Sequence, residues 1–460
     1  MTALNLSDLR NIPGSTIHLP ASRSKFNAPV RGISIDTRTL QPREIFWAIK
    51  GEKQDGHWYV RDAENQGAIA AVVDKKRLKQ LPDLGIPLIL VKDTLQSLQT
   101  FAAWHRNRFD IPVLAITGTN GKTTTKEMIT WILQTTYRVH KTVGNLNNHI
   151  GLPLTLLNIN SKHQVSVVEL GTNHPGEISM LHKIAMPTAA LITNIGRGHL
   201  QFFSNIDGVA QEKLSLFREL PRNGTIYLNR DDKKISSARL RRKSTWDYSL
   251  NARKKARVKG EVLGLTPGGM GIWQLNNSTK IQLRVPGTHN IQNALAASTV
   301  GLSFGINEKT IKSALEEYIA YDKRMQIIRH DHITLINDTY NANPDSFLPA
   351  LETLNEIAKA AKGRKIVVIG DMLELGSTAV ELHRDLFLRI ASQKIDAVYT
   401  LGKFCRQAAN HIRKQGFTHA YSFDNHEDLA HELKRFIKKG DIILFKGSRG
   451  MQIERTIGYL

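Results

Sequence analysis

The sequence predicts an α/β protein of three domains, built on parallel sheets with helices on both faces. Short apolar runs rich in β-branched residues alternate with helix-length segments through most of the chain, which is typical of strands buried in parallel sheets. The length of 460 residues is also too great for a single hydrophobic core. Neither a low-complexity segment nor an internal repeat interrupts this pattern.

The strands and the domain boundaries follow from the order of these runs. The predicted strands lie at 113–117, 165–170, 189–195, 333–338, 365–371, 397–402 and 441–447. The composition changes at 105–112 and again at 320–326. We therefore predict three domains, at 1–108, 109–320 and 321–460.

The composition excludes several classes of protein. Apolar residues make up 41% of the chain and charged residues 23%, as in an ordinary globular protein. No signal-peptide pattern opens the sequence, and no run approaches the roughly 20 apolar residues that span a bilayer, so we expect a cytoplasmic protein without a membrane span. With Cys405 as its single cysteine and no zinc-spaced Cys/His cluster, any metal must be held by oxygen and imidazole.

The formal charge of +22 is unusual and raises the possibility of nucleic-acid binding. The basic residues are scattered, however, and the densest run, at 239–260, has little periodicity. No RNA- or DNA-binding motif accompanies it. We therefore expect no nucleic-acid partner and interpret the charge as a solvated basic surface that attracts anionic substrates.

The segment ITGTNGKT, at 116–123, nearly matches the phosphate-binding pattern G-x-x-x-x-G-K-[ST]. It ends on Gly121, Lys122 and Thr123 as the pattern requires, but Ile116 stands where the pattern has glycine. A predicted strand precedes the loop, and a segment with helical spacing follows it. This order predicts a nucleotide-binding loop of a shorter form, the alternative being a tight turn with a solvated lysine.

Residues at other strand ends are predicted to meet this loop. Lys122 can reach the outer phosphates of a nucleotide, and the Thr123 hydroxyl can ligate Mg²⁺. Glu169 and His199 each end or follow a predicted strand, so in a parallel sheet both lie at the edge that faces the loop. Either residue alone is more often simply solvated. Their coincidence at one edge predicts a metal site.

Eight motifs, in order along the chain, carry a resemblance to a known family. They are ITGTNGKTTTKEM (116–128), NLNNHIGLPLTLL (145–157), VVELGTNHPGEI (167–178), TNIGRGHL (193–200), GTHNIQNALAA (287–297), NDTYNANPDSF (337–347), GDMLELG (370–376) and KGSRGMQIE (446–454). They resemble the Mur ligase family, whose own loop has the short form found here. The resemblance implies an N-terminal α/β domain that binds a uridine nucleotide, a central parallel-sheet P-loop ATPase domain and a C-terminal Rossmann-like, doubly wound domain.

The resemblance also implies an activity. It implies that ATP and Mg²⁺ serve to join D-alanyl-D-alanine to UDP-MurNAc-tripeptide through an acyl phosphate, in the synthesis of a peptidoglycan precursor by a monomer. The segments YNANPDS and GDMLELG favour a member of the family that adds this dipeptide. A nucleotide-dependent switch or motor would share the loop but would not need the segments NLNNHIG or YNANPDS. The identity of the third residue of the acceptor, diaminopimelate or lysine, stays open.

The resemblance also implies roles for single residues. The implied ATP-binding residues are Gly118, Thr119, Asn120, Gly121, Lys122, Thr123, Thr124, Asn290, Asn293, Arg324 and Asp338. The implied Mg²⁺ ligands are Thr123, Glu169, His199 and Lys213 as a carbamate, and the implied catalytic residues are Lys122, His199, Lys213 and Arg324. Without the resemblance, Lys213 would be a solvated helix lysine, and the segment of Asn290 an ordinary helix start. Because Arg324 and Asp338 belong to the third domain, we expect that domain to close over ATP.

The substrate contacts are implied in the same way. They are Ser34, Asp36 and Arg38 for the uridine nucleotide, Asn147 and Asn148 for the precursor, and Asn341 and Asn343 for the incoming dipeptide. A buried structural salt bridge between Asp36 and Arg38, or an Asn-Pro turn at Asn343, is the alternative. Two residues depart from the family pattern. Arg197 stands where an acidic residue is common, and Arg43 where glycine is common.

Overall fold

The computed structural model describes residues 4–20, 26–238, 240, 244–320 and 323–460. These residues form three sheets of five, nine and six strands, which follow one another along the chain. Helices accompany every sheet, so the predicted α/β fold class is confirmed. The sheets are mixed, since each carries at least one antiparallel edge strand in addition to its parallel strands.

The first sheet has the order β1-β5-β4-β3-β2, in which only β1 runs antiparallel to its neighbour. Its strands are β1 (Thr16–His18), β2 (Gly32–Ser34), β3 (Glu44–Trp47), β4 (Ala70–Asp74) and β5 (Leu88–Val91). Its helices are α1 (Val60–Asn65) and α2 (Thr94–Arg106), with 3₁₀ helices at Leu6–Asn11, Gly56–Tyr59 and Lys75–Gln80.

The second sheet has the order β14-β13-β12-β11-β10-β9-β6-β8-β7. Its strands are β6 (Val113–Thr117), β7 (Val139–Lys141), β8 (Val165–Glu169), β9 (Ala189–Ile192), β10 (Thr225–Asn229), β11 (Ser244–Ser249), β12 (Val258–Leu265), β13 (Met270–Leu275) and β14 (Thr279–Pro286). Its helices are α3 (Lys122–Leu133), α4 (Gly151–Leu156), α5 (Glu177–Ala185), α6 (Leu200–Phe203), α7 (Ile206–Glu219), α8 (Lys233–Ser236), α9 (Thr288–Ser303) and α10 (Glu308–Glu317).

The strands β12, β13 and β14 form an antiparallel meander that the sequence analysis did not predict. The signal was present in β14, where Ile281, Leu283 and Val285 are buried and alternate with exposed polar residues. An alternation of period two is typical of a strand with one buried face, unlike the continuous apolar runs of parallel strands. The parallel part of the sheet carries the nucleotide loop.

The third sheet has the order β15-β16-β20-β17-β18-β19, with β15 as its antiparallel edge strand. Its strands are β15 (Gln326–His330), β16 (Ile333–Asp338), β17 (Lys365–Gly370), β18 (Ala397–Leu401), β19 (Ala420–Phe423) and β20 (Ile442–Lys446). Its helices are α11 (Pro344–Ala361), α12 (Ala379–Ser392), α13 (Lys403–Lys414), α14 (His426–Phe436) and α15 (Glu454–Gly458), with 3₁₀ helices at Gly376–Thr378 and Arg449–Met451. Because β20 returns between β16 and β17, the strand order reverses there, which is where open α/β sheets bind ligands.

Burial explains why these segments form their elements. All five residues of β6 are buried, as expected for a central strand covered on both faces. In α3 the predicted apolar positions Met128, Ile129, Ile132 and Leu133 are fully buried, and this helix packs against α9. The loop therefore lies between a rigid strand and a rigid helix.

The three sheets occupy residues 16–91, 113–286 and 326–446, so each falls inside one predicted domain. The parts of the chain that carry these sheets are called the first, central and third units below. The boundaries themselves stay predictions. Residues 321 and 322, in the predicted boundary segment, and residues 239 and 241–243, in the basic run, lie outside the described residues. Within the described part of the chain, the helices are all too short or too polar to cross a bilayer.

Candidate active site

The loop between β6 and α3 requires glycine at two positions. Gly118 and Gly121 have φ angles of +150° and +78°. A Cβ on Gly118 would collide with the hydroxyl of Thr193, and one on Gly121 with the side-chain oxygen of Asn293. The absence of these Cβ atoms allows the loop to bring backbone N–H groups close to a ligand.

The segment after β9 holds the loop in place. The N–H of Thr119 donates to the backbone oxygen of Asn194 at 2.9 Å, and the N–H of Asn120 donates to its side-chain oxygen at 2.9 Å. In return, the Asn120 carbonyl accepts from Thr193 Oγ1 at 2.6 Å and from Asn194 Nδ2 at 2.9 Å. These reciprocal bonds between neighbouring strand ends preform the loop.

Lys122 is half-buried and folds back onto the loop. Its Nζ donates to the carbonyls of Gly118 at 2.8 Å and Thr119 at 3.2 Å. Burial lowers the pKa of Lys122; the negative charge of Glu169 opposes this lowering, and the positive charge of Arg324 adds to it. The ammonium is thus stored against the loop, in the position from which it can turn toward phosphate oxygens. Thr124 follows in the first turn of α3.

A chain of hydrogen bonds runs through the candidate metal ligands Thr123 and Glu169. Thr123 Oγ1 donates to Glu169 Oε2 at 2.8 Å, and Asn147 Nδ2 donates to Glu169 Oε1 at 2.8 Å. Arg324 Nη2 donates to Thr123 Oγ1 at 2.8 Å. Thr123 and Glu169 are each 2% exposed, and the charge of Glu169 acts on the nearby Lys122. A buried carboxylate beside a hydroxyl is a hard oxygen donor set that fits Mg²⁺.

His199 forms its side-chain hydrogen bond with the third unit. Its Nδ1 lies 2.5 Å from Glu374 Oε2, in the loop after β17. The hydrogen bond to His199 is the main cause of a lowered pKa at Glu374, and His174 adds to it. The carboxylate of Glu374 is therefore ionised and oriented toward the imidazole.

Lys213, on α7, is not the solvated lysine that its sequence alone would suggest. It is 2% exposed, and none of the described residues forms a hydrogen bond or ion pair with its Nζ. Burial, with the nearby charge of Lys122, lowers its pKa well below the ordinary value. Its neighbour Glu212 has a structural role, since it accepts from the N–H groups of Gly176 and Ile178 at 2.7 Å. The amine of Lys213 is thus a buried group without a hydrogen-bonding partner among the described residues, and the charge of Glu212 opposes the lowering of its pKa without cancelling it.

The predicted base contacts lie at the start of α9. Asn293 Nδ2 donates to Asn290 Oδ1 at 2.9 Å, and Thr125 Oγ1 donates to Asn293 Oδ1 at 3.1 Å. Asn290 Nδ2 in turn donates to the Pro286 carbonyl at 2.7 Å. Asn293 also lines a cavity of about 60 Å³ beside the loop, next to His289 and Tyr248.

On the third sheet's unit, Arg324 lies 3.7 Å from the ring centroid of Tyr340, which stacks the guanidinium while one nitrogen reaches Thr123. Asp338, at the end of β16, accepts from Lys446 Nζ at 2.5 Å and from the N–H of Met325 at 3.2 Å. Lys446 is 2% exposed, so Asp338 is already held by a buried cation. Asp338 can bind a ribose only with its remaining acceptor capacity.

Two further side-chain pairs join the nucleotide loop to α11. Asn343, which caps α11, exchanges hydrogen bonds with Asn120 at 2.8 and 3.3 Å. Arg197 donates from its backbone N–H and its guanidinium to the carboxylate of Asp345, at 2.6 to 2.9 Å. Arg197, which stands where the family commonly has an acidic residue, thus has a partner in the structure. Asn341 is exposed, and its Oδ1 accepts from the N–H of Ala342 at 2.9 Å.

The predicted precursor contacts are partly used within the protein. Asn147 bonds to Glu169, as described above, while Asn148 Oδ1 accepts from the N–H of Gly151 at 2.8 Å at the start of α4.

In the first sheet's unit, Arg38 pairs with Asp36 at 2.6 Å, and Ser34 Oγ donates to the Asp36 carbonyl at 2.9 Å. The Arg38 side chain is 86% exposed, so the pair is not a buried structural bridge. Arg43 has a φ angle of +71°, a conformation in which glycine would be unstrained.

Comparison with known proteins decides the family. Three family models match the chain, "Mur ligase family, catalytic domain" at 29–106, "Mur ligase middle domain" at 116–301 and "Mur ligase, glutamate ligase domain" at 323–449. The Bacillus subtilis UDP-N-acetylmuramoyl-tripeptide--D-alanyl-D-alanine ligase is 35% identical over 93% of this chain and 92% of its own length. The chain belongs to the Mur ligase family.

Other relatives extend the likeness to the whole chain. The Escherichia coli ligase of the same name is 32% identical over 99% of this chain and 97% of its own length. The crystal structure of MurF from Acinetobacter baumannii has a TM-score of 0.87 at 29% identity, covering 100% of this chain and 99% of that one. MurF from Thermotoga maritima in complex with ADP has a TM-score of 0.81 at 26% identity, covering 94% and 97%.

In this Mur ligase the structure adds site residues that sequence reasoning missed. His289 and Tyr248 line the cavity beside the loop, and His289 Nδ1 and Tyr248 Oη are buried without a hydrogen-bond partner among the described residues. Burial lowers the pKa of His289 to about 4, so the ring is neutral and can accept or donate a hydrogen bond. Lys446 and Glu374 were also missed. His289, Glu374 and Lys446 lie within the quoted motifs, and this position was the only indication of them in the sequence; Tyr248 lies outside the motifs.

Proposed function

We propose that this Mur ligase joins D-alanyl-D-alanine to UDP-MurNAc-tripeptide with ATP, giving UDP-MurNAc-pentapeptide, ADP and phosphate. Relatives that carry the name of this activity match almost the whole chain. The observation that carries the proposal is the hydrogen-bonded chain Arg324–Thr123–Glu169, which joins the third unit to the central unit at the end of the nucleotide loop. A relative in complex with ADP supports the use of ATP.

The first step transfers a phosphoryl group. An oxygen of the tripeptide's terminal carboxylate attacks the γ-phosphorus of ATP, the bond to the β–γ bridging oxygen breaks, and ADP leaves. Both reactants are anions, so the site must supply positive charge where they meet. We assign this charge to Lys122, stored against the loop, and to Arg324, held by Tyr340 and Thr123.

The second step forms the amide. The free amine of D-alanyl-D-alanine attacks the carbonyl carbon of the acyl phosphate, the amine loses a proton, and phosphate departs. We propose that Thr123, Glu169, His199 and Lys213 would hold Mg²⁺, whose charge offsets that of the phosphates. Asn343, the N-cap of α11, and the exposed Asn341 are proposed to face the incoming dipeptide.

Lys213 is proposed to act as a carbamate. Its neutral amine would add to CO₂, forming an N–C bond and releasing one proton to solvent. Burial and the charge of Lys122 lower the pKa of Lys213, which favours the neutral amine that this addition needs. The product is an oxygen anion in place of a buried amine, and Mg²⁺ prefers oxygen anions. The missing partner of the Lys213 amine supports this proposal.

The remaining assignments concern recognition and context. Ser34, Asp36 and Arg38 are proposed to hold the uridine nucleotide, where the exposed Arg38 can meet its phosphates. Asn147 and Asn148 are proposed to lie near the precursor, and domain boundaries at 108 and 320 separate these functions. We place the reaction in the cytoplasm, where ATP and nucleotide-linked precursors occur, and propose that the protein acts as a monomer. Through cell-wall synthesis, the reaction would contribute to cell shape, the cell cycle and cell division.

A phosphate-release assay tests the function. Wild-type protein is mixed with ATP and Mg²⁺, with UDP-MurNAc-tripeptide carrying diaminopimelate or lysine, and with D-alanyl-D-alanine or single amino acids. We expect phosphate release to require both a precursor and the dipeptide, with the pentapeptide product identified by mass spectrometry. ATP turnover that does not depend on the precursor or on the dipeptide would indicate a switch or motor instead.

Salt-dependent retention of the protein on DNA, without binding of the precursor, would favour the nucleic-acid hypothesis. The basic charge would then be the functional feature, and the ligase proposal would be rejected. The phosphate-release assay also distinguishes the two acceptors, because it measures the turnover with each tripeptide directly.

A further inference from the structure

The contact between His199 and Glu374 crosses from the central unit to the third unit. His199 is the N-cap of α6, in the connection after β9 of the second sheet, whereas Glu374 lies in the loop after β17 of the third sheet. The His199 Nδ1 to Glu374 Oε2 distance of 2.5 Å is that of a charge-assisted hydrogen bond. A residue that is proposed as a metal ligand is thus hydrogen-bonded to a carboxylate from the unit of another sheet.

The backbone holds both residues in an uncommon conformation. His199 and Glu374 have φ angles of +55° and +62°, the left-handed region that residues with a Cβ seldom adopt. Such conformations persist where the surroundings determine them and are frequent at functional sites. The N–H of Gln201 donates to the Glu374 carbonyl at 3.1 Å, and a Cβ on Gly376 would lie 3.1 Å from Gln201 Cα. The two segments are therefore fitted closely to one another.

The hydrogen bond determines which nitrogen of His199 is free. With Nδ1 donating to the carboxylate, Nε2 is the ring nitrogen left to bind a metal, and the described residues provide no hydrogen bond to it. Histidines that bind metals commonly donate their other ring N–H to a carboxylate, which orients the ring and raises its basicity. The His199 side chain is 22% exposed, so Nε2 is accessible to a small ion.

We propose that Glu374 is a positioning residue for the metal site: it orients His199 Nε2 toward a divalent cation, and the third unit supplies it only when docked. This inference rests on the proposed function, in that it takes His199 as a Mg²⁺ ligand. Since Glu374 and His199 belong to different units, docking of the third unit and metal binding each favour the other. Neither Glu374 nor a role for this contact followed from the sequence.

Metal binding, not turnover, is the main readout. Mn²⁺ is titrated into full-length protein with ADP, and the free Mn²⁺ is measured by electron paramagnetic resonance. The proteins compared are the wild type, Glu374→Ala, Glu374→Gln and His199→Ala. The matched control is Glu381→Ala, which removes the same charge from an exposed position of the third unit without a described contact. Melting temperatures confirm that each variant is folded.

We expect Glu374→Ala to weaken Mn²⁺ binding by about tenfold or more, within the range known for partners of metal ligands. Glu374→Gln keeps an oxygen that can accept from Nδ1 and should lie between alanine and the wild type. Glu381→Ala should bind Mn²⁺ like the wild type. In the His199→Ala background, Glu374→Ala should add less than about twofold, because its partner is already absent.

Mn²⁺ affinity of Glu374→Ala within about twofold of the wild type would overturn the inference. Full, multiplicative losses in the double variant would also overturn it, since they would mean that Glu374 acts independently of His199. Failure of the proposed function is distinguishable, because it appears as a wild-type protein without ligation of the dipeptide. In that case the Mn²⁺ titrations still decide whether Glu374 positions His199.

Discussion

The two sides of the candidate site are held in different ways. On the central side, the nucleotide loop is bonded to Thr193 and Asn194 of the same sheet, and the donors Thr123 and Glu169 are each 2% exposed. On the third unit's side, the contacts are polar side-chain pairs, such as Arg197 with Asp345, whose side chains are 41% and 30% exposed. Partly exposed pairs contribute at most about 1 kcal/mol each.

The difference indicates which side can move. The central side is preformed by buried hydrogen bonds within one sheet, so we expect its structure to change little during the reaction. The third unit docks through contacts that water can replace at small cost, which is typical of a unit that opens to exchange substrates. Changes on the central side should therefore affect the chemistry most, and changes at the docking pairs should affect the closed population.

The largest effect is expected at Lys122. Lys122→Ala should lower kcat by roughly 10²- to 10³-fold, the range for loss of one group that stabilises transition-state charge. The fold should persist, because Nζ bonds only to two loop carbonyls. Phosphate release and melting temperature are the measurements. Lys183→Ala, an exposed lysine on α5, is the control and should turn over normally.

A folded Lys122→Ala protein with near-normal turnover would contradict the assignment of the loop. It would also remove the basis for the comparison, since the preformed side would then not be the catalytic one.

The next largest effect is expected at Lys213. Lys213→Ala should lose about 10- to 100-fold in turnover, as expected for a supporting metal ligand. Acetate or formate should partly restore the rate, because a small carboxylate can occupy the vacated space. Lys213→Arg keeps a cation and fills that space, so it should be inactive and not rescued. Rates are measured with increasing acetate, and chloride at equal ionic strength is the control.

Unchanged activity in Lys213→Ala would refute the carbamate. A crystal structure of active enzyme with an unmodified Lys213 amine would refute it as well.

A smaller effect is expected on the docked side at Arg324. Arg324→Ala should cost about tenfold or more in turnover, or 1.4 kcal/mol at the lower limit. Its guanidinium bonds to Thr123 and stacks on Tyr340, so its loss removes both charge and a docking contact. Scattering with an ATP analogue and precursor should show less compaction than in the wild type. Arg329→Ala, exposed on β15, is the control.

A loss below about tenfold in turnover, together with normal compaction, would mean that the third unit does not act through Arg324.

The sequence predicted the central side of the site better than the docked side. Strand, loop and helix are consecutive in the chain, so the apolar run before Gly118 and the helical spacing of Met128 and Ile132 were sufficient to predict their structure. The Thr123 and Glu169 pair followed because parallel strands end at one edge of a sheet. Local chemistry therefore predicted the preformed half.

Contacts between sheets were not predictable from one sequence. Glu374 and His199 are 175 residues apart, and no local pattern indicates that they meet. Asp338 was predicted to face the ribose, but nothing in the sequence indicated that the buried Lys446 would bond to it. The meander β12–β14 differs from the predicted strands in its pattern: strands in parallel sheets are continuous apolar runs, whereas β14 alternates buried and exposed residues.

The smallest effect is expected at the Arg197–Asp345 pair, which isolates docking from chemistry. Arg197→Ala and Asp345→Ala should each lower kcat/KM by roughly 2- to 5-fold, since a partly exposed pair contributes less than about 1 kcal/mol. The double variant should be no worse than Asp345→Ala, because that change already removes every hydrogen bond of the pair, including the one from the backbone N–H of Arg197 that Arg197→Ala retains. Arg230 and Asp247 provide the control, as they form a similar ion pair inside the central unit with side chains 39% and 16% exposed. Loss of that pair should lower the melting temperature slightly without changing kcat/KM or the compaction seen by scattering. If the Arg197 and Asp345 losses multiply, or if the control pair changes kcat/KM equally, then docking does not depend on this contact and the two sides of the site do not differ as argued.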